Sequence, residues 1–225
     1  EVAIGMKTVE EAVSVRNWVL ERIEVASVLD DPEARRRALT VVVVGGGFAG
    51  VETISELEDM AREAVNRNDR LSVSDLRFVM IEAAPRIMPE VPEDRAEKVV
   101  AELRARGIEV LLNTSLSDAT DGHLQLINMA DKSPAGEMDT DTLIWTAGVA
   151  ASPMLKNTDF PIDERGRVRV NADLRVAGDN GVVEGAWAAG DNAAVPDLSG
   201  GGVGGFCVPN AQHASRQALV LAKNI

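Results

Sequence analysis

The chain has 225 residues, 45% apolar and 26% charged, so it can form a hydrophobic core, and collagen-like, coiled-coil and wholly disordered classes are excluded. Its 23 basic and 36 acidic residues give a net charge of −13, and repulsion from phosphate groups argues against nucleic acid as a partner. The single cysteine, Cys207, excludes an intrachain disulfide and a multi-cysteine metal centre, and no apolar run reaches the ~18 residues of a membrane span.

The first 37 residues predict a long amphipathic helix. Thr8 and Glu11 have the spacing of a capping box, which is typical of a helix start. The helix should end near Asp30, since Pro32 follows, and the charged residues 33–37 should connect it to the next zone. The apolar residues at helical spacing are Val9, Ala12, Val13, Leu20 and Ile23.

The zone from about residue 38 to 150 alternates predicted strands and helices. Thr40–Val44 is an unbroken β-branched run, as in a parallel strand buried on both faces. Arg77–Ile81 reads as a second such strand, and a helix is predicted between Pro92 and Gly107. This alternation predicts a doubly wound α/β sheet. Further strand-like segments lie at 108–112, around Leu116, at 124–127 and at 142–146.

The zone from about residue 151 to 225 has weaker signals. Val168–Val170 and Gly185–Ala189 read as short strands, and a closing helix should begin near Ala211. We therefore expect a second, smaller region after the α/β zone.

The most informative motif is G-x-G-x-x-G at Gly45, Gly47 and Gly50, with Phe48 and Ala49 between the last two glycines. It follows a buried strand and opens a helix, which is the context that the dinucleotide fingerprint requires. The first glycine allows a tight turn, the second lets a pyrophosphate approach, and the third allows close helix–strand packing. The helix N-terminus would then supply N–H groups to the phosphates.

An acidic residue should end the second strand and accept the ribose hydroxyls of the dinucleotide. Glu82 follows Ile81 directly and fits this role. A carboxylate there repels a 2′-phosphate, so NAD is preferred over NADP, although the nearby Arg86 moderates that preference. The alternative is a glycine-rich turn in an unrelated α/β domain.

Several segments resemble type II NADH dehydrogenases, the single-subunit FAD-dependent NADH:quinone oxidoreductases. They are residues 41–52, 85–89, 107–110, 143–149, 189–191 and 211–214, together with the opening helix. The resemblance implies a Rossmann-like NAD-binding domain, with a parallel sheet, helices and a small β-meander, at 38–150. It further implies that residues 1–37 are a helical flank of an FAD-binding domain and that residues 151–225 are its C-terminal part.

The resemblance also assigns roles to matching residues. Asp191 would accept hydrogen bonds from the FAD ribitol, with the Gly190 backbone close to the flavin. Glu52 would lie where nicotinamide and flavin stack, and Ala147 and Gly148 would let a planar ring approach. The alternatives are an Asp that only caps a turn and a first-turn Glu that interacts with the helix dipole.

A quinone would contact Gln212 on the closing helix, and Arg216 would share its face. Arg216 stands where the family usually has a second glutamine, so a different acceptor stays open, as does a purely structural polar face. His123 and His213 lack metal-ligand spacing, so no metal site is expected.

The resemblance implies oxidation of NADH with electrons passed through FAD to a quinone, by a protein peripheral to the inner, cytoplasmic face of the membrane. No fingerprint for FAD pyrophosphate precedes Thr40, so we expect this chain to be a fragment that binds NAD(H) weakly and FAD hardly at all. Any membrane contact would come from segments outside it, and a homodimer is an assembly to be tested. The alternatives are a flavin-dependent NAD(P)H reductase using ferredoxin or oxygen, and a non-catalytic NAD(H)-binding redox sensor.

Overall fold

A computed structural model describes residues 3–200 and 204–225. The chain divides into two compact units, one ending at Ala147 and the other beginning at Gly148. Each unit has its own hydrophobic core. Within the described residues, no helix combines the length and the apolar character that crossing a membrane requires.

The first unit alternates strands and helices. Its elements are β1 (Ala3–Gly5), α1 (Val9–Val28), α2 (Pro32–Ala38), β2 (Thr40–Val44), α3 (Phe48–Asn66), β3 (Arg77–Ile81), α4 (Glu93–Ala105), β4 (Glu109–Leu111), β5 (Thr114–Thr120), β6 (His123–Asn128), β7 (Pro134–Asp139) and β8 (Thr142–Trp145).

Five of these strands form a parallel sheet in the order β1-β8-β2-β3-β4. All five residues of β2 are buried, as its β-branched composition predicts for a central strand covered on both faces. The strand order reverses between β2 and β8, since β3 and β4 extend the sheet on one side and β8 and β1 on the other. The predicted α/β class with a parallel sheet is confirmed.

The two faces of the sheet are covered by different layers. Residues of α1, α3 and α4 pack with alternate sheet residues such as Val43 and Met80 on one face. On the other face, Val42 and Val79 pack against the antiparallel meander β5-β6-β7. The sheet is therefore buried from both sides, and the expected small β-meander is present.

The helix at the start of the chain has the predicted cap. The Thr8 hydroxyl accepts a hydrogen bond from the Glu11 N–H at 3.1 Å, and the Glu11 carboxylate accepts one from the Thr8 N–H at 2.9 Å. The connection expected at 33–37 is wrong, because these residues belong to helix α2. Asp31 caps that helix and Pro32 occupies its first turn, where a missing N–H costs nothing.

The second unit contains β9 (Val168–Arg169), β10 (Arg175–Gly178), β11 (Gly181–Trp187), β12 (Ala193–Ala194) and α5 (Ala211–Asn224). Strands β10 and β11 are antiparallel, and β12 and β9 are parallel. Strand β11 ends at Trp187, two residues before the predicted end at Ala189. Helix α5 begins at Ala211 as predicted, with the Asn210 side chain accepting from the His213 N–H at 2.8 Å.

Candidate functional site: a nucleotide cradle at the sheet edge

The strand order reverses between β2 and β8. In open α/β sheets, ligands bind at such a reversal point, outside the carboxyl ends of the strands. The glycine turn leaves β2 at this point, and Gly45 has a φ of +112°, which favours glycine. The Gly45 N–H donates to the Ile81 carbonyl of β3 at 2.8 Å, so the turn is anchored to the neighbouring strand.

The three motif glycines differ in what surrounds them. A methyl group at Gly45 would lie 2.8 Å from the Ala147 nitrogen, and one at Gly50 would overlap the Gly45 carbonyl oxygen. At Gly47, in contrast, no described atom beyond the adjoining residues lies within 4 Å of such a methyl group. Gly45 and Gly50 are thus closely packed, whereas Gly47 borders open space.

Gly47 is also the N-cap of α3, and no side chain caps this helix end. The first N–H groups of a helix have no partner within the helix. Phe48 and Ala49, the first two helical residues, are exposed. The open space therefore lies at an uncapped helix N-terminus, where a phosphate group would find both N–H donors and a favourable helix dipole.

The Glu82 carboxylate lies directly beside the glycine turn. It accepts hydrogen bonds from the Gly46 N–H at 2.5 Å and from the Ala84 N–H at 2.7 Å. The side chain is half-buried and follows the last residue of β3. The structure therefore brings the predicted ribose acceptor to the predicted pyrophosphate turn.

The glycine turn of residues 45–50 and Glu82 together form the nucleotide cradle. Thr146 also belongs to this cradle, although sequence reasoning missed this residue. Its hydroxyl lies 2.9 Å from the Val44 carbonyl oxygen and 3.2 Å from that of Gly45. A methyl group at Gly50 would approach this hydroxyl to 2.9 Å. The available signal was a polar residue directly after the apolar residues 143–145.

Glu52 and Ala147 lie in the same unit as the cradle. Glu52 is exposed on α3, and its carboxylate forms no hydrogen bond or ion pair within the described part of the chain. Ala147 is half-buried next to the Gly45 backbone, and its carbonyl accepts from the Trp145 indole N–H at 2.9 Å. Gly148 begins the second unit with a φ of +80°.

In the second unit, a tight turn presents Asp191. Residues Gly190–Asn192 form one turn of 3₁₀-helix, and Gly190 has a φ of +70°. The Gly190 N–H donates to Gln217 Oε1 at 2.7 Å, so α5 holds this turn. The Asp191 carboxylate is exposed and forms no hydrogen bond with residues that the structure describes. Such a carboxylate is chemically suited to sugar-like hydroxyl groups.

The proposed quinone residues Gln212 and Arg216 lie one turn apart on α5, and both are exposed. Gln217, on a different face of the helix, is the glutamine that contacts the Gly190 turn. Sequence reasoning did not find this contact, because it joins residues 27 positions apart.

Burial raises the pKa of the Cys207 thiol, and the negative charge of Asp197 adds to this effect. A raised pKa lowers the thiolate fraction and hence the nucleophilicity of the sulfur. No cluster of His, Cys, Asp or Glu able to hold a metal ion occurs among residues 3–200 and 204–225.

A parallel sheet with a glycine turn and an acidic residue at its reversal point is the architecture of the dinucleotide-binding α/β class. Residues 9–218 match the family described as pyridine nucleotide-disulphide oxidoreductase, and the chain belongs to that family of oxidoreductases.

The names of similar proteins confirm the expected resemblance to type II NADH dehydrogenases. The chain is 31% identical to the "Probable NADH dehydrogenase" of Dictyostelium discoideum over 225 residues, covering 99% of this chain and 46% of that protein. It is 34% identical to the "Type II NADH:quinone oxidoreductase NdhA" of Mycobacterium tuberculosis over 206 residues, covering 88% of this chain and 42% of that protein. The chain thus spans a little under half the length of these relatives.

A solved structure of NDH2 from Plasmodium falciparum in complex with NADH has the same fold. The TM-score is 0.76 at 21% identity, and the match covers 87% of this chain and 40% of that one. At this identity the likeness concerns the fold alone.

Proposed function

We propose that the first unit binds NAD(H) at the end of β2. The pyrophosphate would lie on the open side of Gly47, at the N-terminus of α3, and the adenosine ribose would hydrogen-bond to Glu82. The observation that carries this proposal is the open, uncapped helix end at Gly47, next to a carboxylate that already accepts from Gly46. The negative charge of Glu82 favours NAD over NADP, since it would repel a 2′-phosphate.

For the whole protein, the proposed activity is oxidation of NADH with transfer of electrons to a quinone. The names of the relatives and the family match support this reaction class. Bound FAD would supply the acceptor for the hydride and the donor of electrons to the quinone. In this chain, the glycine turn would orient the dinucleotide, and Glu52 would orient its nicotinamide.

The second unit would contribute Asp191 and the Gly190 backbone to FAD binding. The exposed carboxylate can accept from ribitol hydroxyls, and the Gln217 contact would hold the turn in place. Gln212 and Arg216 would contact the quinone as hydrogen-bond donors. In this proposal residues 38–150 form the NAD-binding domain, with β1 and α1 packed on its sheet, and residues 151–225 belong to the FAD-binding domain. The protein would be a peripheral one on the cytoplasmic face of the membrane.

The test is steady-state NADH oxidation by the full-length protein with menaquinone and ubiquinone analogues, ferredoxin and oxygen as acceptors. Fast turnover that requires a quinone supports the proposal. Turnover only with ferredoxin or oxygen points to another acceptor, and tight NADH binding without turnover points to a redox sensor.

Two substitutions refine the assignment of residues. Glu82→Ala should weaken NADH binding by about tenfold, because charge-assisted hydrogen bonds to the ribose are lost. Glu52→Ala should lower kcat more than it raises KM, whereas Glu56→Ala, an exposed change on the same helix, should alter neither. Unchanged NADH affinity in Glu82→Ala would show that the ribose assignment is wrong.

A further inference from the structure

The loop of residues 85–91, here called the buttress loop, contacts the glycine turn directly. The Met88 N–H donates to the Gly46 carbonyl at 2.8 Å. Ile87 is fully buried, and a methyl group at Gly46 would lie 2.6 Å from its Cγ2 atom. Such a methyl group would also lie 3.1 Å from Glu82 Oε2, so the middle residue of the turn has to be small chiefly because of Ile87 and also because of Glu82. The Met88 contact ties its position to the buttress loop.

The buttress loop is itself held in a strained conformation. Met88 has a φ of +47°, a left-handed backbone that is costly for a residue with a side chain. Such strain persists only where the surroundings enforce it. The Arg86 guanidinium donates to the Pro89 carbonyl at 2.5 Å and to the Val91 carbonyl at 2.9 Å. The Val91 N–H closes the loop by donating to the Met88 carbonyl at 2.9 Å.

The hydrogen bonds of Arg86 give it a different role from the one that the sequence suggests. Sequence reasoning treats it as a charge that could favour a 2′-phosphate near Glu82. In the structure two of its donor nitrogens bind carbonyl oxygens of its own loop. A guanidinium that bridges two backbone carbonyls fixes their separation, because its donors form a rigid fork.

We infer that Arg86 is a positioning residue for the nucleotide site, acting through the buttress loop. Arg86 fixes the conformation of the loop, and the loop holds Met88 and Ile87 against Gly46. The position of Gly46 then determines the conformation in which the glycine turn meets the pyrophosphate. Arg86 then contributes equally to NAD and NADP binding and does not discriminate between them. This inference rests on the proposed NAD(H) site.

The first experiment compares Kd values for ADP-ribose and 2′-phospho-ADP-ribose by calorimetry on the wild type, Arg86→Gln and Arg86→Lys. Arg86→Gln should weaken both ligands by the same factor, about tenfold, because the loss of charged hydrogen bonds loosens the loop. Arg86→Lys should bind both ligands more tightly than Arg86→Gln, because it keeps a charged donor. It should still bind them more weakly than the wild type, because one ammonium cannot bridge both carbonyls equally well. The matched control is Arg104→Gln, which removes another arginine-to-carbonyl bond, to Val110, and should leave both Kd values unchanged.

Two results would overturn the inference. Selective loss of the phosphorylated ligand in Arg86→Gln would make Arg86 a phosphate ligand, and unchanged affinity for both ligands would remove its positioning role.

A second pair of variants tests the contact with Ile87. Gly46→Ala should lower ADP-ribose affinity more than tenfold, since the added methyl group would push the turn away from Ile87. The double variant Gly46→Ala with Ile87→Ala should recover part of this loss. A folded double variant that binds no better than Gly46→Ala would contradict the proposed contact.

Hydrogen exchange separates this inference from the proposed function. In ligand-free protein, Arg86→Gln should speed exchange of the Met88 amide, whose partner is the Gly46 carbonyl. Unchanged exchange would refute the role of Arg86 in fixing the loop, whether or not nucleotide binds. Wild-type protein that binds no ADP-ribose would instead refute the proposed NAD(H) site, and faster Met88 exchange would still support that role of Arg86.

Discussion

Alanine substitutions at Gly47 and Gly50 should differ strongly in their effect on stability and should thereby separate packing from nucleotide binding. Gly47 has a φ of −73°, which alanine adopts freely, and no described atom beyond the adjoining residues lies near its missing methyl group. Gly47→Ala should therefore change the free energy of unfolding by less than about 1 kcal/mol, because the lower conformational freedom of alanine in the unfolded chain offsets its weaker preference for the N-cap position.

Nucleotide binding should nevertheless suffer in Gly47→Ala. The new methyl group would occupy the space that the pyrophosphate needs at the start of α3. The loss of charge-assisted hydrogen bonds, worth about 1.5–3 kcal/mol, corresponds to a roughly 10- to 150-fold weaker Kd for NADH.

Gly50→Ala should instead unfold the protein at lower temperature. Its methyl group would overlap the Gly45 carbonyl oxygen and approach the Thr146 hydroxyl to 2.9 Å. Backbone atoms cannot move aside cheaply, so we expect a loss of about 3 kcal/mol or more. That loss lowers Tm by roughly 6–12 °C in a chain of this size.

Thermal unfolding and NADH titration on the same preparations measure both quantities. Glu56→Ala, an exposed change on α3, is the control and should alter neither. Wild-type NADH affinity in Gly47→Ala would refute the placement of the pyrophosphate. A wild-type Tm in Gly50→Ala would refute the account of helix–strand packing.

Two further predictions concern charged groups of the first unit. Arg106→Ala should cost about 1.5–3 kcal/mol in urea unfolding, because it removes charged hydrogen bonds to the carboxylate of Glu58, which is only 3% exposed and keeps Arg62 as its other partner. A loss below about 0.5 kcal/mol would contradict this. The hydrogen bond with Asp139 raises the pKa of His123 above 6.5. Its contribution to stability is therefore full below pH 6.5 and is lost as the pH rises through the raised pKa. An NMR titration should show a lower His123 pKa in Asp139→Asn than in the wild type, and equal values would refute the pairing.

Features that depend on neighbouring residues could be predicted from the sequence. The β-branched run Thr40–Val44 is a strand with the predicted bounds, and so is Arg77–Ile81. The capping box at Thr8 also forms as predicted. Local patterns specify such elements, because a strand buried on both faces needs a continuous apolar run and a helix start needs nearby acceptors for its N–H groups.

Helix α2 shows the limit of this reasoning. Its cap at Asp31 and its proline at the first turn are ordinary start signals, but the seven residues are too short and too charged to show an apolar period. Ala38, the last residue of α2, is only 2% exposed. Periodicity could not predict this packing.

The sequence by itself determined the parallel α/β class, the glycine turn and the acidic residue at the end of β3. Only the tertiary structure decided which distant residues surround that turn. Strand β8 lies beside β2, so Thr146 reaches the carbonyl of Val44, 102 positions earlier. The buttress loop likewise brings Ile87 against Gly46. These contacts depend on strand order and loop path, which no local pattern encodes, and they determine where the turn is held for a nucleotide.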